Sequence, residues 1–340
     1  MINEATALLR GGKDLSAAEM EGAMRQIMGA TATVEEMVAF LQAYNAKKPT
    51  VEELAAAARI MRSFALPLSL ELPADAVILD TCGTGGDKKG TFNVSTIAAF
   101  VVSACGVTVA KHGNRAVSSS CGSADILEAL GITVQMPAEK IAACLKELKI
   151  AFLFAQQFHP AVKHVMPARK QIAGKTLFNI LGPLCNPAKA THQLTGVYDP
   201  DLIETVARVL GALGTKHALV VHGADGLDEI SLTDATMVAE WKDNCVKTYA
   251  VKPEDFGFRR MPLDEFFGGS VSDNVQIMLE VLNGKQGPRR NIVVANAAAA
   301  LYAAEKAASI AGGISLAEEA IDSGRALKKL ALFKEYSRST

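Results

Sequence analysis

The stretch Val77–Asp87, VILDTCGTGGD, runs from a short apolar segment through Asp80 into a turn with three glycines. A short apolar run before a glycine turn is typical of a buried strand that leads into a helix. Residues 95–105 are small and apolar, and they predict that helix. We therefore expect a strand–loop–helix unit of an α/β protein at this point.

The same alternation continues along the chain. Further strand-like runs are 107–110, 151–154 and 218–221, and helical runs are 125–130, 164–173, 202–213, 296–308 and 316–332. Strands that alternate with helices predict a mostly parallel sheet covered on both faces. Residues 236–251 suggest an added antiparallel hairpin, and Gly182-Pro183 with Asn186-Pro187 suggests a turn-rich connection.

Residues 1–65 contain helical patterns only. Three Ser/Thr-x-x-Glu signatures predict helix starts there: Ser16 with Glu19, Thr33 with Glu36, and Thr50 with Glu53. We expect a small helical domain at 1–72, to which residues 166–188 return, and a larger α/β domain at 73–165 and 189–340.

Composition narrows the class of protein. The chain has 340 residues, 49% of them hydrophobic, and a formal net charge of −1, which favours neither nucleic acid nor an anionic membrane. No apolar run is long enough to span a bilayer, and the N-terminus lacks a secretory pattern. The six cysteines include no C-x-x-C pair, so we expect a reduced cytoplasmic protein without a zinc site or disulfide framework.

The glycine turn is the first candidate site. Its backbone amides are able to converge on phosphate oxygens, and the following helix start favours an anion. The alternative is a tight strand-to-helix turn. The sequence of the glycine turn matches neither the P-loop motif nor the dinucleotide-binding motif. The next segment is Asn93-Val94-Ser95-Thr96, whose hydroxyls and amide are able to bind pyrophosphate or Mg²⁺. Taken alone, however, ordinary N-capping by Asn93 or Ser95 is the preferred interpretation of this segment.

Three later segments carry further polar groups. The first is Lys111-His112-Gly113-Asn114-Arg115, which comes at the carboxyl end of a predicted strand. Open parallel sheets bind ligands at that end, so this segment is a candidate for ligand binding. The alternative interpretation is a solvated basic loop. Ser118–Ser123 precedes a helix and suits a second phosphate. Asp228-Glu229 suits Mg²⁺, although an exposed acidic turn is more frequent. Arg169 offers a fork for a carboxylate, although helical arginines are usually solvated.

In combination these segments resemble the anthranilate phosphoribosyltransferase family over essentially the whole chain. The matching runs are Gly83–Asp87, Asn93–Thr96, Lys111–Arg115, Ser118–Ser119, Gly122–Asp125, Phe178–Asn179, Leu181–Leu184 and Gly226–Glu229. Near Arg169 the chain has Gln171, Ile172 and Lys175 where the family often has Glu, Leu and Arg. The resemblance implies a fold similar to pyrimidine nucleoside phosphorylases, with hinges between a helical and an α/β domain, and a homodimer.

The resemblance also implies an activity: transfer of 5-phosphoribosyl from phosphoribosyl pyrophosphate (PRPP) to the amine of anthranilate, with Mg²⁺, in tryptophan biosynthesis. It assigns PRPP to Gly83, Gly86, Asp87, Thr91, Asn93, Val94, Ser95, Thr96, Lys111, Ser119 and Ser123. It assigns anthranilate to Gly83, His112, Asn114 and Arg169, Mg²⁺ to Ser95, Asp228 and Glu229, and catalytic roles to Lys111, Asn114 and Arg169.

Two other functions remain open at this point. A pyrimidine nucleoside phosphorylase would share the fold. The Asn114-Arg115 pair and the Asp228-Glu229 pair favour the transferase, because phosphorolysis does not require a Mg²⁺-pyrophosphate clamp. A non-catalytic nucleic-acid-binding relative would be expected to carry a basic groove, which the near-neutral charge does not favour.

Overall fold

The structure, a computed structural model, describes residues 1–73, 75–116 and 121–339. Its centre is one seven-stranded sheet. The strands are β1 (Ile78–Asp80), β2 (Thr108–Gly113), β3 (Ile150–Phe154), β4 (His192–Gly196), β5 (His217–Gly223), β6 (Thr236–Lys242) and β7 (Cys245–Val251). Their order across the sheet is β3-β2-β1-β4-β5-β6-β7. The first five strands run parallel, and β6 and β7 form the antiparallel hairpin predicted at 236–251.

The strand order reverses direction at β1. The chain passes from β1 to β2 and β3 on one side, and then returns to β4 and β5 on the other side. In open parallel sheets a crevice forms at the carboxyl ends of the strands where the order reverses. The loops that follow β1, β2, β4 and β5 all leave from this one edge, so they are brought together in space.

The helices of the described residues surround this sheet. They are α1 (Ile2–Arg10), α2 (Ala17–Met28), α3 (Val34–Asn45), α4 (Val51–Ser63), α5 (Val94–Ala104), α6 (Ser123–Ala129), α7 (Ala138–Leu148), α8 (Ala155–Phe158), α9 (Met166–Gln171), α10 (Leu177–Leu184), α11 (Ile203–Ala212), α12 (Val271–Leu282), α13 (Pro288–Ala303), α14 (Ile310–Asp322) and α15 (Arg325–Arg338). None of these helices combines the length and apolarity that crossing a bilayer requires.

All three predicted capping boxes are present at the starts of α2, α3 and α4. The third does more than cap its helix. Glu53 is fully buried, and its carboxylate accepts hydrogen bonds from the backbone N–H of Thr50 (2.9 Å) and of Leu15 (2.8 Å). It also forms an ion pair of 2.6 Å with Lys47. The buried charge is therefore compensated on both oxygens.

The described residues have two hydrophobic clusters. One contains α5, α13 and the strands they cover, and it forms the core of the α/β part. The other unites α1–α4 with buried residues between Ala161 and Cys185, and it continues onto α11 and β5. Buried residues between 161 and 185 thus pack in one cluster with the N-terminal helices.

Several sequence-based expectations differ from the structure. β2 extends to Gly113, so Lys111 and His112 lie within the strand and not after it. Gly182-Pro183 lies inside α10 and not in a turn, because Thr176, whose N–H donates to the side chain of Asn179, caps a helix that begins at Leu177 and buries an apolar face. The single helix expected at 316–332 is two helices, because Gly324 adopts a φ of 73° between α14 and α15.

Candidate active site

The glycine loop after β1 leaves its backbone open toward the crevice. Gly85 and Gly86 have φ values of 61° and 77°, a region that glycine adopts without steric cost. The N–H of Thr84 donates to the carbonyl of Gly196 at the end of β4, at 2.9 Å. The Asp87 carboxylate accepts from the N–H of Lys89 at 3.1 Å. The loop is thus fixed to the neighbouring strand while its glycines stay free for a ligand.

Lys111 lies in β2 beneath this loop with only 5% of its surface exposed. Its ammonium donates to the carbonyl (3.0 Å) and hydroxyl (3.3 Å) of Thr81 and to the hydroxyl of Ser95 (3.2 Å). All three acceptors are neutral, so the positive charge remains available for an anion in the crevice. The alternative of a solvated basic loop is wrong for Lys111 and His112, because both are buried.

Asp80, the last residue of β1, forms hydrogen bonds that hold the backbone of β2 at His112. Its carboxylate accepts from the backbone N–H of His112 at 3.0 Å and from the amide of Asn186 at 2.7 Å. Burial raises the pKa of Asp80 to about 6, and nearby Lys111 opposes that shift. The donor atoms of Asp80, Cys82 and His112 lie within 4.8 Å of one another. They make a poor metal site, because both Asp80 oxygens are engaged and burial raises the pKa of the Cys82 thiol, which keeps it protonated.

Asn93 occupies the N-cap position of α5, but its side chain makes no capping bond. The preferred interpretation of this segment as ordinary capping is therefore wrong for Asn93. Its amide donates instead to the carbonyl of Cys121 at 3.0 Å, across to the loop that precedes α6. Its backbone N–H donates to the buried side chain of Asn274 on α12 at 3.1 Å. Asn93 therefore links the two segments that the sequence singled out for phosphate binding.

Three carboxylates converge at the end of the glycine loop, where Asp87 of the loop lies close to Asp228 and Glu229. Burial raises the pKa values of Asp228 and Glu229, and the charge of Asp87 adds to the effect on Asp228. One oxygen of Asp87 is buried without a hydrogen-bond partner in the described part of the chain. The acidic turn is therefore not the exposed one that is more frequent in proteins. Carboxylates that repel one another in this way are stabilised by a cation.

The backbone of Asp228 packs against the end of β4. A β-carbon on Gly196 would lie 1.6 Å from the carbonyl oxygen of Asp228, so only glycine is tolerated there. A β-carbon on Gly83 would lie 3.3 Å from the Asp228 carboxylate. The glycine loop, β4 and the acidic turn therefore meet at the point where the strand order reverses.

The opposite wall of the crevice is provided by α9 and α10. Arg169 is half-buried, donates to the side chain of Asn179 at 3.2 Å, and lies 5.8 Å from the ring of Phe178. Burial lowers the pKa of this guanidinium, and no carboxylate of the described residues pairs with it. Arg169 is thus a partly desolvated cation without an anionic partner in the described chain, a suitable receptor for a carboxylate.

His112 faces this wall from β2. Its Nδ1 lies 3.1 Å from the carbonyl of Gly182, so this nitrogen carries the hydrogen. Its Nε2 is buried and has no partner among the described residues. Burial lowers the pKa of His112 to about 3, so the ring is neutral. Asn114 lies beyond it, where its side-chain oxygen accepts from the N–H of Arg115 at 2.8 Å.

One cleft of about 350 Å³ brings most of the predicted site residues together. Its walls include Gly83, Gly86, Asp87, Thr91, Asn93, Ser95, Lys111, His112, Asn114, Ser123, Arg169, Asp228 and Glu229. Val94 and Thr96 are buried in α5 and are absent from its walls. Ser119 lies outside the described residues.

Sequence reasoning gave no role to several groups that shape the cleft. Phe178, Asn179 and Gly182 on α10 line the side near Arg169, yet they entered only as part of a matching run. Buried Asn186 binds the side chain of Asp80 in β1, and buried Asn274 and Asn296 hold loops from outside the cleft. A polar residue within an otherwise alanine-rich helix is a signal that could have identified Asn296.

Comparisons with known proteins agree with this arrangement. The glycosyl transferase family, a/b domain, matches residues 75–327, and its helical bundle domain matches residues 3–65. Anthranilate phosphoribosyltransferase of Petrotoga mobilis is 48% identical over 326 residues, 96% of this chain and 94% of the relative.

Solved structures extend the similarity to three dimensions. The crystal structure of anthranilate phosphoribosyltransferase from Thermus thermophilus matches with a TM-score of 0.93 and 40% identity, covering 98% of this chain and 99% of that one. The enzyme from Saccharomyces cerevisiae in complex with PRPP and Mg matches with a TM-score of 0.89 and 30% identity, covering 100% and 98%. Because relatives match in sequence and structure over nearly the whole chain, the chain belongs to the anthranilate phosphoribosyltransferase family.

Proposed function

We propose that the cleft binds PRPP with Mg²⁺ beside anthranilate and transfers the 5-phosphoribosyl group to the amine. The products are N-(5-phosphoribosyl)anthranilate and pyrophosphate, and the reaction is the second step of tryptophan biosynthesis. The single observation that carries the proposal is the convergence, in one cleft, of an open glycine loop, a buried lysine, three carboxylates and an arginine without a carboxylate partner among the described residues.

PRPP would occupy the side of the cleft formed by β1, β2 and α5. Gly83, Gly86 and the start of α5 line this side of the cleft, and backbone N–H groups of a glycine loop and a helix start suit phosphate oxygens. Lys111 supplies a full positive charge. The proposed set also includes Asp87, Thr91, Asn93, Ser95 and Ser123 in the walls, Val94 and Thr96 through the helix start, and Ser119.

The residues present fit Mg²⁺ well. Asp87, Asp228 and Glu229 offer carboxylate oxygens, the ligands that this hard ion prefers, and one Asp87 oxygen has no other partner in the described chain. Ser95 lines the same cleft. We assign Ser95, Asp228 and Glu229 to the metal, directly or through water. When bound there, Mg²⁺ would stabilise negative charge on the departing pyrophosphate.

Anthranilate would bind between β2 and α10. Its carboxylate would pair with Arg169, which otherwise has no anionic partner in the described chain, and Asn114, His112 and Gly83 would complete the pocket. The neutral His112 adds no second charge at this place.

The chain's residues act mainly by charge and position. As the bond from ribose C1 to pyrophosphate breaks, negative charge develops on the leaving group, and Lys111 stabilises it without moving, since it is already held by Thr81 and Ser95. Arg169 and Asn114 align the amine for attack with inversion at C1. The proton lost by the amine has no assigned protein acceptor, and the carboxylate of anthranilate itself is able to assist.

The wider organisation is also proposed. The second hydrophobic cluster supports a helical domain of residues 1–72 with 166–188, and an α/β domain of 73–165 with 189–340. The resemblance to the family supports a homodimer that works in the cytoplasm. Light scattering of the purified chain would test the dimer.

The reaction is tested by the fluorescence of anthranilate. Adding PRPP and Mg²⁺ to the protein should abolish that fluorescence with time, while omitting PRPP or adding EDTA should preserve it. Asp228→Asn should lower the rate and raise the Mg²⁺ concentration needed. A folded wild-type protein that leaves the fluorescence unchanged would refute the proposed activity.

A further inference from the structure

Asn296 is a fully buried polar residue in the middle of α13. Its neighbours in the helix are apolar, from Ile292 to Ala295 and from Ala297 to Leu301. A buried amide costs free energy unless its hydrogen bonds are made, and an aliphatic side chain would fill the same volume without that cost. The reason for an amide at this position therefore lies in the groups that it binds.

The side chain of Asn296 holds one residue of the acidic turn by both backbone groups. Its Oδ1 accepts from the N–H of Ile230 at 2.8 Å, and its Nδ2 donates to the carbonyl of Ile230 at 3.0 Å. The second hydrogen of Nδ2 goes to the carbonyl of Ile292, one turn back in α13, at 2.9 Å. All the donors of the amide are used, so its orientation is fixed.

Ile230 follows Asp228 and Glu229 directly and lies in no helix or strand. Its peptide groups therefore lack the partner that regular structure would supply, and Asn296 takes the place of that partner. On the other side of the pair, the Asp228 backbone packs against Gly196 of β4. The two carboxylates thus lie between two fixed points, one on β4 and one on α13.

We propose that Asn296 is a positioning residue for the Asp228–Glu229 metal site, acting from α13 through the backbone of Ile230. This inference rests on the proposed Mg²⁺ site. Groups that orient metal ligands typically change metal affinity about 10- to 100-fold when they are removed. Loss of the Asn296 amide should therefore weaken metal binding without changing the anthranilate pocket, which is built from other elements.

Two variants remove the amide in different ways. Asn296→Leu keeps the branched shape and the number of heavy side-chain atoms but leaves both backbone groups of Ile230 unpaired. Asn296→Ser introduces a smaller side chain, whose hydroxyl is too short to bridge both backbone groups of Ile230. This variant therefore replaces Asn296→Leu in the experiment if the leucine variant does not fold. The matched control is Leu301→Ala, which removes a buried side chain from the same helix and leaves Asn296 in place.

Metal binding is measured without turnover. Mn²⁺ is titrated into protein with PRPP but no anthranilate, and free Mn²⁺ is followed by electron paramagnetic resonance. We expect the Asn296 variants to bind Mn²⁺ about 10- to 100-fold more weakly. Leu301→Ala should bind it like the wild type, and the anthranilate KM at saturating Mg²⁺ should keep its wild-type value.

Wild-type Mn²⁺ affinity in a folded Asn296→Leu or Asn296→Ser protein would overturn the inference. An equal loss in Leu301→Ala would also overturn it, because general destabilisation would then be the cause. Asp228→Asn separates this result from failure of the proposed function. If the wild type binds Mn²⁺ no better than Asp228→Asn does, the metal site itself is misassigned.

Discussion

Arg169 shows how a single side chain can indicate a ligand. A partly buried guanidinium without a carboxylate partner in the described chain has lost water and gained no full ionic partner in return. Arg169→Ala should raise the anthranilate KM about 10- to 100-fold, the range expected when a hydrogen bond to a charged group is lost. Steady-state kinetics would measure the effect. Lys170→Ala, at the exposed neighbouring position, is the control; an unchanged KM in Arg169→Ala would remove Arg169 from the acceptor site.

Gly182 lies on the α10 wall of the proposed anthranilate pocket, and substituting it tests where anthranilate binds. Apart from its chain neighbours and the backbone of α10, a β-carbon on this residue would have no atom of the described residues within 4 Å, so Gly182→Ala should fold normally. The added methyl group would instead take space beside His112 that the acceptor uses. We expect the anthranilate KM to rise about 10-fold, because a difference of one methyl group in a pocket typically changes binding by at least this factor. The PRPP KM should stay unchanged. A wild-type anthranilate KM would show that the ring does not approach α10.

Among the helices, the cap at Thr50 and Glu53 has a larger structural role than its sequence signature suggests. Glu53→Ala would leave the Leu15 N–H unpaired and remove the nearer of the two carboxylates that contact Lys47. We expect a loss of about 3 kcal/mol in the free energy of unfolding, as for other broken buried pairs. Glu19→Ala removes the same signature from α2 at an exposed position and should cost far less. Thermal unfolding of both variants would show the difference, and equal shifts would contradict the assignment.

Local signals predicted most helices but failed at β4. The three Ser/Thr-x-x-Glu boxes are local in sequence, so α2, α3 and α4 were predictable with their start positions. β4 is fully buried but reads His-Gln-Leu-Thr-Gly, without an apolar run. Its polar groups are satisfied by distant partners; for example, Gln193 donates to the carbonyl of Pro183 at 2.6 Å. No pattern within the strand reports such contacts.

For the whole molecule, buried histidines contribute to the response of stability to acid. His159 donates through Nε2 to the carbonyl of Cys185 at 2.9 Å, and its Nδ1 is buried without a partner in the described chain. Burial lowers its pKa to about 4, and the positive charge of Arg62 contributes. Its folded pKa lies below the unfolded value of about 6.5, so its contribution to stability is complete above pH 6.5 and is lost as the pH falls toward 4.

This linkage predicts that His159 alone lowers the free energy of unfolding by about 2 kcal/mol between pH 7 and pH 5. His159→Gln keeps a donor for the Cys185 carbonyl but cannot become charged, so its stability should fall less over the same range. His164→Gln is the control at a half-buried position. Urea unfolding at several pH values would measure the slopes; identical slopes for wild type and His159→Gln would refute the role of this imidazole.

The chemistry of the site was predictable from the sequence to a larger extent than its geometry. The glycine turn, Lys111 and the acidic pair indicate phosphate and metal binding by residue type, and the structure brings them into one cleft. The strand order that unites them depends on pairings between distant segments, such as Leu79 with His192. The same is true of Asn296, whose partner Ile230 lies on a separate loop. Contacts of this kind are settled by packing of the whole chain.

The second hydrophobic cluster has a consequence for the order in which the chain can fold during its synthesis. Helices α1–α4 leave the ribosome first, but the residues that cover their inner face lie between Ala161 and Cys185 and on α11. Likewise, the second edge of β1 can pair only after β4 has been synthesised. A nascent chain that ends before α10 therefore lacks the apolar residues of α10 and α11 that pack against α3 and α4. The N-terminal helices can complete their packing only after more than half of the protein has been made.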